Sequence, residues 1–278
     1  MLDWFPENIS NLGDGVDHLF YVIYYLTIAI FLLVNAVYIW FIIQYRRRKK
    51  RERAHYYHGN SVLELTWTAL PLALFVFLGF YSDDVWQRLK YAEHTPNPDF
   101  TVEVMGQTYM WHFRYPGSDG VFGHREQRFI SATNPFGVDP SDPNGRDDYT
   151  TINQLHLPIN KNVLIRMSSM DVIHSFFVPN MRIKQDALPG QWVNVWFDGR
   201  KTGTYEIACA ELCGSGHYLM RAELTLHGQQ EFDTWIDEQY KAVAAARGTV
   251  TQTAAPAAAP AGAPAAAQTP ASPSESRM

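Results

Sequence analysis

Cysteine is nearly missing from this chain: two thiols among 278 residues exclude a small scaffold stapled by disulfides. Charge is sparse as well, at 18% of residues against 46% hydrophobic, which excludes a chain too polar to fold. Basic charge is scarce where a nucleic-acid binder would need it. Residues 46–53 read RRRKKRER and hold seven of the 23 basic residues, whereas Asp83 to Arg247 carries 21 acids against 15 bases. A nucleic-acid binder concentrates positive charge on its folded domain, so no such partner is expected. No C-x-x-C-H stretch exists, which excludes a fused c-type haem. No basic start precedes the first apolar run, which follows Asp3, Glu7, Asp14 and Asp17, so a retained helix is expected rather than a cleaved signal.

Two long apolar runs hide beneath a mean hydropathy of −0.22. Leu19 to Ile43 holds no formally charged side chain. As a helix it would span about 37 Å, enough to cross a hydrocarbon core of about 30 Å. The second run, residues 62–82, contains Glu64, Pro71 and Gly79. A proline kink of this kind is tolerated in a membrane helix when neighbours repair the bonding. The basic loop, residues 44–61, lies between the runs and is expected in the cytoplasm. Residues 1–18 and everything after residue 83 then lie outside, which predicts a two-helix hairpin in membrane lipid. An ionisable group at a membrane edge is a candidate functional residue by default, and Glu64 in ELTWTALP is placed to take protons from the cell interior.

From Phe100 to Gly228 the pattern turns to short β-rich stretches, at 101–105, 108–115, 152–157, 162–167, 192–197, 204–209 and 221–226. Gly, Pro, Asn and Asp clusters separate them, which predicts a β-sandwich or barrel. Residues 131–150, with three prolines, are expected to form a long surface loop. The spacing of Phe232, Trp235, Ile236 and Tyr240 predicts one amphipathic helix to about Arg247, closing an external domain of residues 83–247. The Ala/Pro-rich residues 248–278 are expected to form an extended tail.

Both cysteines fall in CAELCGSGHYLM, which offers Cys209, Cys213, His217 and Met220, while His174 lies upstream in DVIHSFFVP. Two thiols, two imidazoles and a thioether form a soft set, suited to copper, zinc or iron–sulfur rather than magnesium or calcium. A disulfide is natural on the oxidising side of a membrane. A zinc site would leave Met220 without a use, and a single blue-copper site would leave one thiolate spare. Two copper ions bridged by both thiolates use every donor and suit the spacing best; all four readings stay open on the residues alone.

The stretch C-x-E-x-C-G-x-x-H-x-x-M, the upstream D-V-x-H-S-x-x-V-P, the K-x-D-A-x-P-G from Lys184 to Gly190 and the E-x-x-W-T-x-x-P of the second run resemble subunit II of a haem–copper cytochrome c oxidase. The resemblance runs from the first apolar segment to about Trp235. It implies a membrane-anchored hairpin followed by a cupredoxin-like Greek-key β-sandwich that carries the dinuclear copper centre called CuA. It implies that Cys209 and Cys213 bridge the coppers, that His174 and Met220 complete one, and that His217 and the backbone carbonyl of Glu211 complete the other. It further implies that the Glu211 side chain faces a magnesium or manganese ion at the subunit I interface, and that Glu64 stands at the mouth of a proton path. Expected partners are a haem-bearing subunit I, a subunit III and a c-type cytochrome, in a bacterial-type inner (plasma) membrane with the copper domain on the external, periplasmic side.

The aromatic stretch that leads electrons to the copper in that family reads GQTYMWHFRY here, placing Tyr109 and Trp111 at its first two aromatic positions. Arg114 stands where related sequences often have an acid, which suggests an altered donor. Asp171 keeps an acidic position that helps to dock a basic cytochrome, and the acidic balance outside would steer one. Other readings are a quinol-oxidase subunit II, which would lack the copper ligands, the electron-accepting subunit of a nitric-oxide reductase, and a membrane-anchored copper chaperone.

Overall fold

The computed structural model describes residues 4–48, 53, 56–91 and 96–253. Both apolar runs are helices, α1 (Asn11–Tyr45) and α2 (Ser61–Lys90), and none of the apolar window of either is buried within the chain. Helices that are apolar all round and uncovered are suited to lipid. The Asn60 side chain caps α2 by accepting from the Val62 and Leu63 amides at 3.0 and 3.1 Å. Arg88 and Lys90 close the helix at the end where its dipole favours cations.

Each helix outruns its apolar core on the outer side, and the extensions are gripped by the sandwich. Arg182 clamps Asp17 of α1, with its Nε 2.6 Å from the carboxylate, while Arg200 donates to Asp14 at 2.7 Å. Lys90 at the end of α2 donates to the Gln185 side chain at 2.6 Å. Contacts to the folded domain therefore continue both helices beyond the stretches that hydropathy alone marks.

The external part is a β-sandwich of two five-stranded sheets. One is ordered β3 (Tyr149–Ile152), β2 (Met110–Tyr115), β1 (Phe100–Gln107), β5 (Asn162–Ser169), β8 (Val193–Asp198); the other β4 (Gln154–Pro158), β10 (Arg221–His227), β9 (Gly203–Cys209), β6 (His174–Val178), β7 (Ile183–Ala187). The pairs β1–β5 and β4–β10 are parallel and the rest antiparallel. Inward-facing residues such as Val104, Phe113, Ile165, Phe176 and Leu224 are fully buried and fill the space between the sheets.

The segment expected as a surface loop is more ordered than its prolines suggest. Bridges Arg125↔Val138 and Ser131↔Asn134 fold it back, Phe136 is buried, and its end is β3, with Tyr149 in the core. It covers the outer face of β1 and β2, where Arg114 lies buried between Glu103 and Asp148. Burial raises the Glu103 carboxyl above its usual range, and Arg125, Arg114 and Arg166 counter that only in part. Arg114 is 1% exposed, so it cannot select an electron donor; its charge is spent inside the fold.

The final helix, α3 (Gln229–Thr253), buries Phe232 and Ile236 as its spacing predicts, and passes the expected boundary at Arg247. Trp235 stacks on His156 with centroids 4.2 Å apart, and Tyr240 donates to the Pro116 carbonyl at 3.2 Å. The expected extended tail otherwise falls at 254–278, outside the described residues.

Candidate metal centre

At one end of the second sheet, β6 begins with His174, β9 ends with Cys209, and the turn that leads into β10 carries Cys213, His217 and Met220. The β6–β9 register sets Phe176 opposite Cys209, which brings the upstream histidine to the downstream thiols across 35 residues. Cys209 Sγ lies 3.9 Å from Cys213 Sγ, 3.9 Å from His174 Nδ1 and 3.2 Å from the Glu211 carbonyl oxygen. Cys213 Sγ lies 3.6 Å from His217 Nδ1 and 3.8 Å from Met220 Sδ. Six donor groups thus converge from two segments.

Both thiols are free and buried, and their separation is far beyond the ~2.05 Å of a disulfide bond. Burial and then the neighbouring Cys209 push the Cys213 thiol up to about 11, so that thiol holds its proton at neutral pH. A soft cation removes that cost, because a coordinating thiol is deprotonated outright. Two sulfurs facing two imidazole nitrogens and a thioether fit a thiophilic metal, and Met220, wholly buried with its sulfur turned to Cys213, has a use only if the metal accepts thioether. The donor chemistry fits copper.

The His174 ring is held from behind. Its Nε2 lies 2.8 Å from Asp171 Oδ1, which fixes the proton there and leaves Nδ1 free toward Cys209. The other Asp171 oxygen accepts from the Thr108 amide at 2.8 Å and the Thr108 hydroxyl at 2.6 Å. Partial burial pushes the Asp171 carboxyl up, but the bonds from Thr108, His174 and Val172 outweigh it and hold the group well below the usual carboxylate range. Asp171, the residue expected at a docking surface, is exposed, and its oxygens also bond inward to His174 and Thr108. Thr108 was not foreseen, and only its place beside Tyr109 in the β1–β2 turn hinted at it. Gly106 is required here as well, since a Cβ would come within 2.8 Å of the His174 ring.

Tyr109 is half-buried in the same turn. Its ring lies on the thiol loop, so close that a Cβ at Gly216 would sit 2.5 Å from it, and its hydroxyl is 3.3 Å from Ser215 Oγ. Trp111 is fully buried, edge-on to His174 with centroids 5.9 Å apart, so it packs the core beside that ring and cannot itself meet a partner. Around the cluster Leu212, Tyr218 and Leu219 are more than 60% exposed, with Val172 and Ile173 beside them, an apolar rim of the kind that marks an interaction surface. Glu211 is exposed among them. Glu64 sits far from this group, in the first turn of α2, with its carbonyl accepting from Thr68 at 2.9 Å.

Comparison with known proteins accounts for most of the chain. The family described as cytochrome C oxidase subunit II, periplasmic domain, matches residues 100–225, and the corresponding transmembrane domain matches residues 2–85. The alternative cytochrome c oxidase subunit 2 of Bradyrhizobium diazoefficiens is 34% identical over 241 residues, covering 85% of this chain and 84% of that one. The cytochrome c oxidase subunit 2 of Thermostichus vulcanus is 32% identical, covering 87% of this chain and 80% of that one. A solved periplasmic domain of subunit II from Bradyrhizobium japonicum is 29% identical with a TM-score of 0.40, covering 54% of this chain and 99% of that one.

Proposed function

Because the chain belongs to the cytochrome c oxidase subunit II family, a component of haem–copper oxidases, we propose that it takes single electrons from a c-type cytochrome on the external face and passes them to haem in subunit I, where oxygen is reduced to water and protons are pumped. The observation that carries this reading is the convergence of two free thiols, two imidazoles, a thioether and one carbonyl at the end of the second sheet. Cys209 and Cys213 would hold two copper ions between them, with His174 and Met220 serving one and His217 with the Glu211 carbonyl serving the other. When bound, the pair supplies a one-electron relay. Asp171 orients the His174 ring, and Thr108 orients Asp171. Tyr109, at the surface and against the thiol loop, receives the donor's electron, with Trp111 packed between the sheets beside His174.

The exposed rim of Leu212, Tyr218 and Leu219 supports docking against other subunits, subunit I first and subunit III with it. The exposed Glu211 carboxylate would serve a magnesium or manganese ion at the subunit I interface, and Glu64 would feed protons from the cytoplasmic end of α2. The membrane is the bacterial inner (plasma) membrane.

The deciding experiment is copper content per chain with electron paramagnetic resonance on the purified oxidase. The expected spectrum is that of one unpaired electron shared by two equivalent copper nuclei, with a near-infrared band. Stoichiometric zinc, or splitting by a single copper nucleus, would overturn the assignment. Cys213→Ser should abolish both the band and cytochrome oxidation.

A further inference from the structure

Cys209 and Cys213 are 9% and 7% exposed, so a metal ion or any other reagent needs an opening to reach them. Two sides of the thiol loop could supply one. On one side lies the rim of Leu212, Tyr218 and Leu219, the surface that the proposed assembly covers with subunit I. On the other lies the Tyr109 ring, carried by the turn of Thr108 and Tyr109 between β1 and β2.

That ring is seated on glycine. A Cβ at Gly214 would come within 2.6 Å of its hydroxyl oxygen, and one at Gly216 within 2.5 Å of its ring carbons, so a side chain at either place would push it off. Tyr109 therefore spans the loop from Gly214 to Gly216, between Cys213 and His217. Its hydroxyl reaches Ser215 Oγ at 3.3 Å, a long contact for two hydroxyls. The turn beneath is held more firmly, because Asp171 accepts from both the Thr108 amide and the Thr108 hydroxyl. Behind the turn, Gln107↔Met110 and Gly106↔Trp111 are paired in the sheet, and the Trp111 amide donates to the Asn153 side chain at 2.8 Å. Thr108 and Tyr109 can thus lift by giving up the Asp171 bonds while both strands stay in place, a local opening of the kind folded proteins make without unfolding.

We propose that this turn is a lid on the thiol pair, latched by Asp171, and that its lifting sets how fast a soft metal ion enters or leaves. The metal part rests on the copper reading; the lid itself governs access and operates in the metal-free chain. The latch is the carboxylate that holds the His174 ring through its other oxygen, so lifting the lid also loosens a candidate ligand. Tyr109 is no ligand itself. Its removal speeds entry and escape by the same factor and leaves the affinity where it was.

The test uses the full-length chain in detergent, produced without copper, and follows alkylation of Cys209 and Cys213 by iodoacetamide. Tyr109→Gly should raise the rate about tenfold, and Thr108→Val, which cuts one bond of the latch, should raise it about as much. Tyr109→Phe keeps the ring and should leave the rate unchanged. Rates unmoved by Tyr109→Gly and Thr108→Val, or raised instead by Leu219→Ala at the rim, would overturn the lid. So would a rise accompanied by lost amide-exchange protection throughout the sandwich, which signals global unfolding. In the copper-loaded chain, uptake and chelator-driven loss should quicken by one factor in Tyr109→Gly; a change in only one of them would make Tyr109 part of the binding site and overturn the lid. Failure of the copper reading would show separately, as a chain that takes zinc or no metal while its alkylation rates still report the lid.

Discussion

Asp171 is exposed, yet both of its oxygens are bonded to neighbouring groups of the fold. It holds His174 through one oxygen and is itself held by Thr108 through the other, so the ring enters the cluster already oriented. Asp171→Asn keeps the shape but replaces the carboxylate acceptor, and copper affinity should fall about 10–100-fold; chelator competition on the purified protein measures it. Tyr109 belongs to the loop surface rather than the ligand set. Tyr109→Ala should slow electron uptake from reduced cytochrome in rapid-mixing kinetics and leave the copper spectrum unchanged. Unaltered uptake would place the point of arrival elsewhere. Most donors were legible in one twelve-residue stretch because their chemistry is local. The Asp171–Thr108 pairing was not, because those residues are 63 apart and meet only through the parallel β1–β5 alignment.

Among the elements, β6 and β7 escaped the pattern reading. HSFFV is buried on both faces for most of its length and shows no alternation, while IKQDA lies on a sheet edge with polar residues outward. β3 was masked by the prolines before it. The ordered cover that ends in β3 depends on a buried charge network, and Arg114→Leu should destabilise the external domain by about 3–5 kcal/mol, because it leaves Asp148 buried without its cation and takes one of three from Glu103; thermal melts read this directly. The α3 contact is pH-sensitive by construction. His156 Nδ1 and His227 Nε2 are 2.8 Å apart, with Glu231 3.2 Å from the far side of His227 and Trp235 stacked above. Burial first, then the charge of His227, lowers His156 from 6.5 to about 4. The unfolded chain therefore binds a proton in that window that the folded chain refuses. Stability should be flat above pH 6.5 and fall as the pH drops from 6.5 toward 4, with α3 amides losing hydrogen-exchange protection. His156→Phe should flatten the dependence.

At the scale of the whole molecule, the hairpin and the sandwich act as one piece because ion pairs tie the outer turns of α1 to the ends of β7 and β8. Arg182 is the centre of that tie: it also donates to the Pro179 carbonyl at 2.6 Å and the Pro6 carbonyl at 2.9 Å. Arg182→Ala should raise hydrogen exchange in the first turns of α1 while leaving the copper spectrum intact. The hairpin itself was plain from hydropathy; its junction with the sandwich was not, since single charged residues far apart in the chain build it.

The split between His174 and the stretch from Cys209 to Met220 also orders events in time. A nascent polypeptide has only one of the side-chain donors until its last third has left the ribosome and crossed the bilayer. The cluster can therefore assemble only after translocation, and any metal it takes would have to be supplied from the side of the membrane where the sandwich folds.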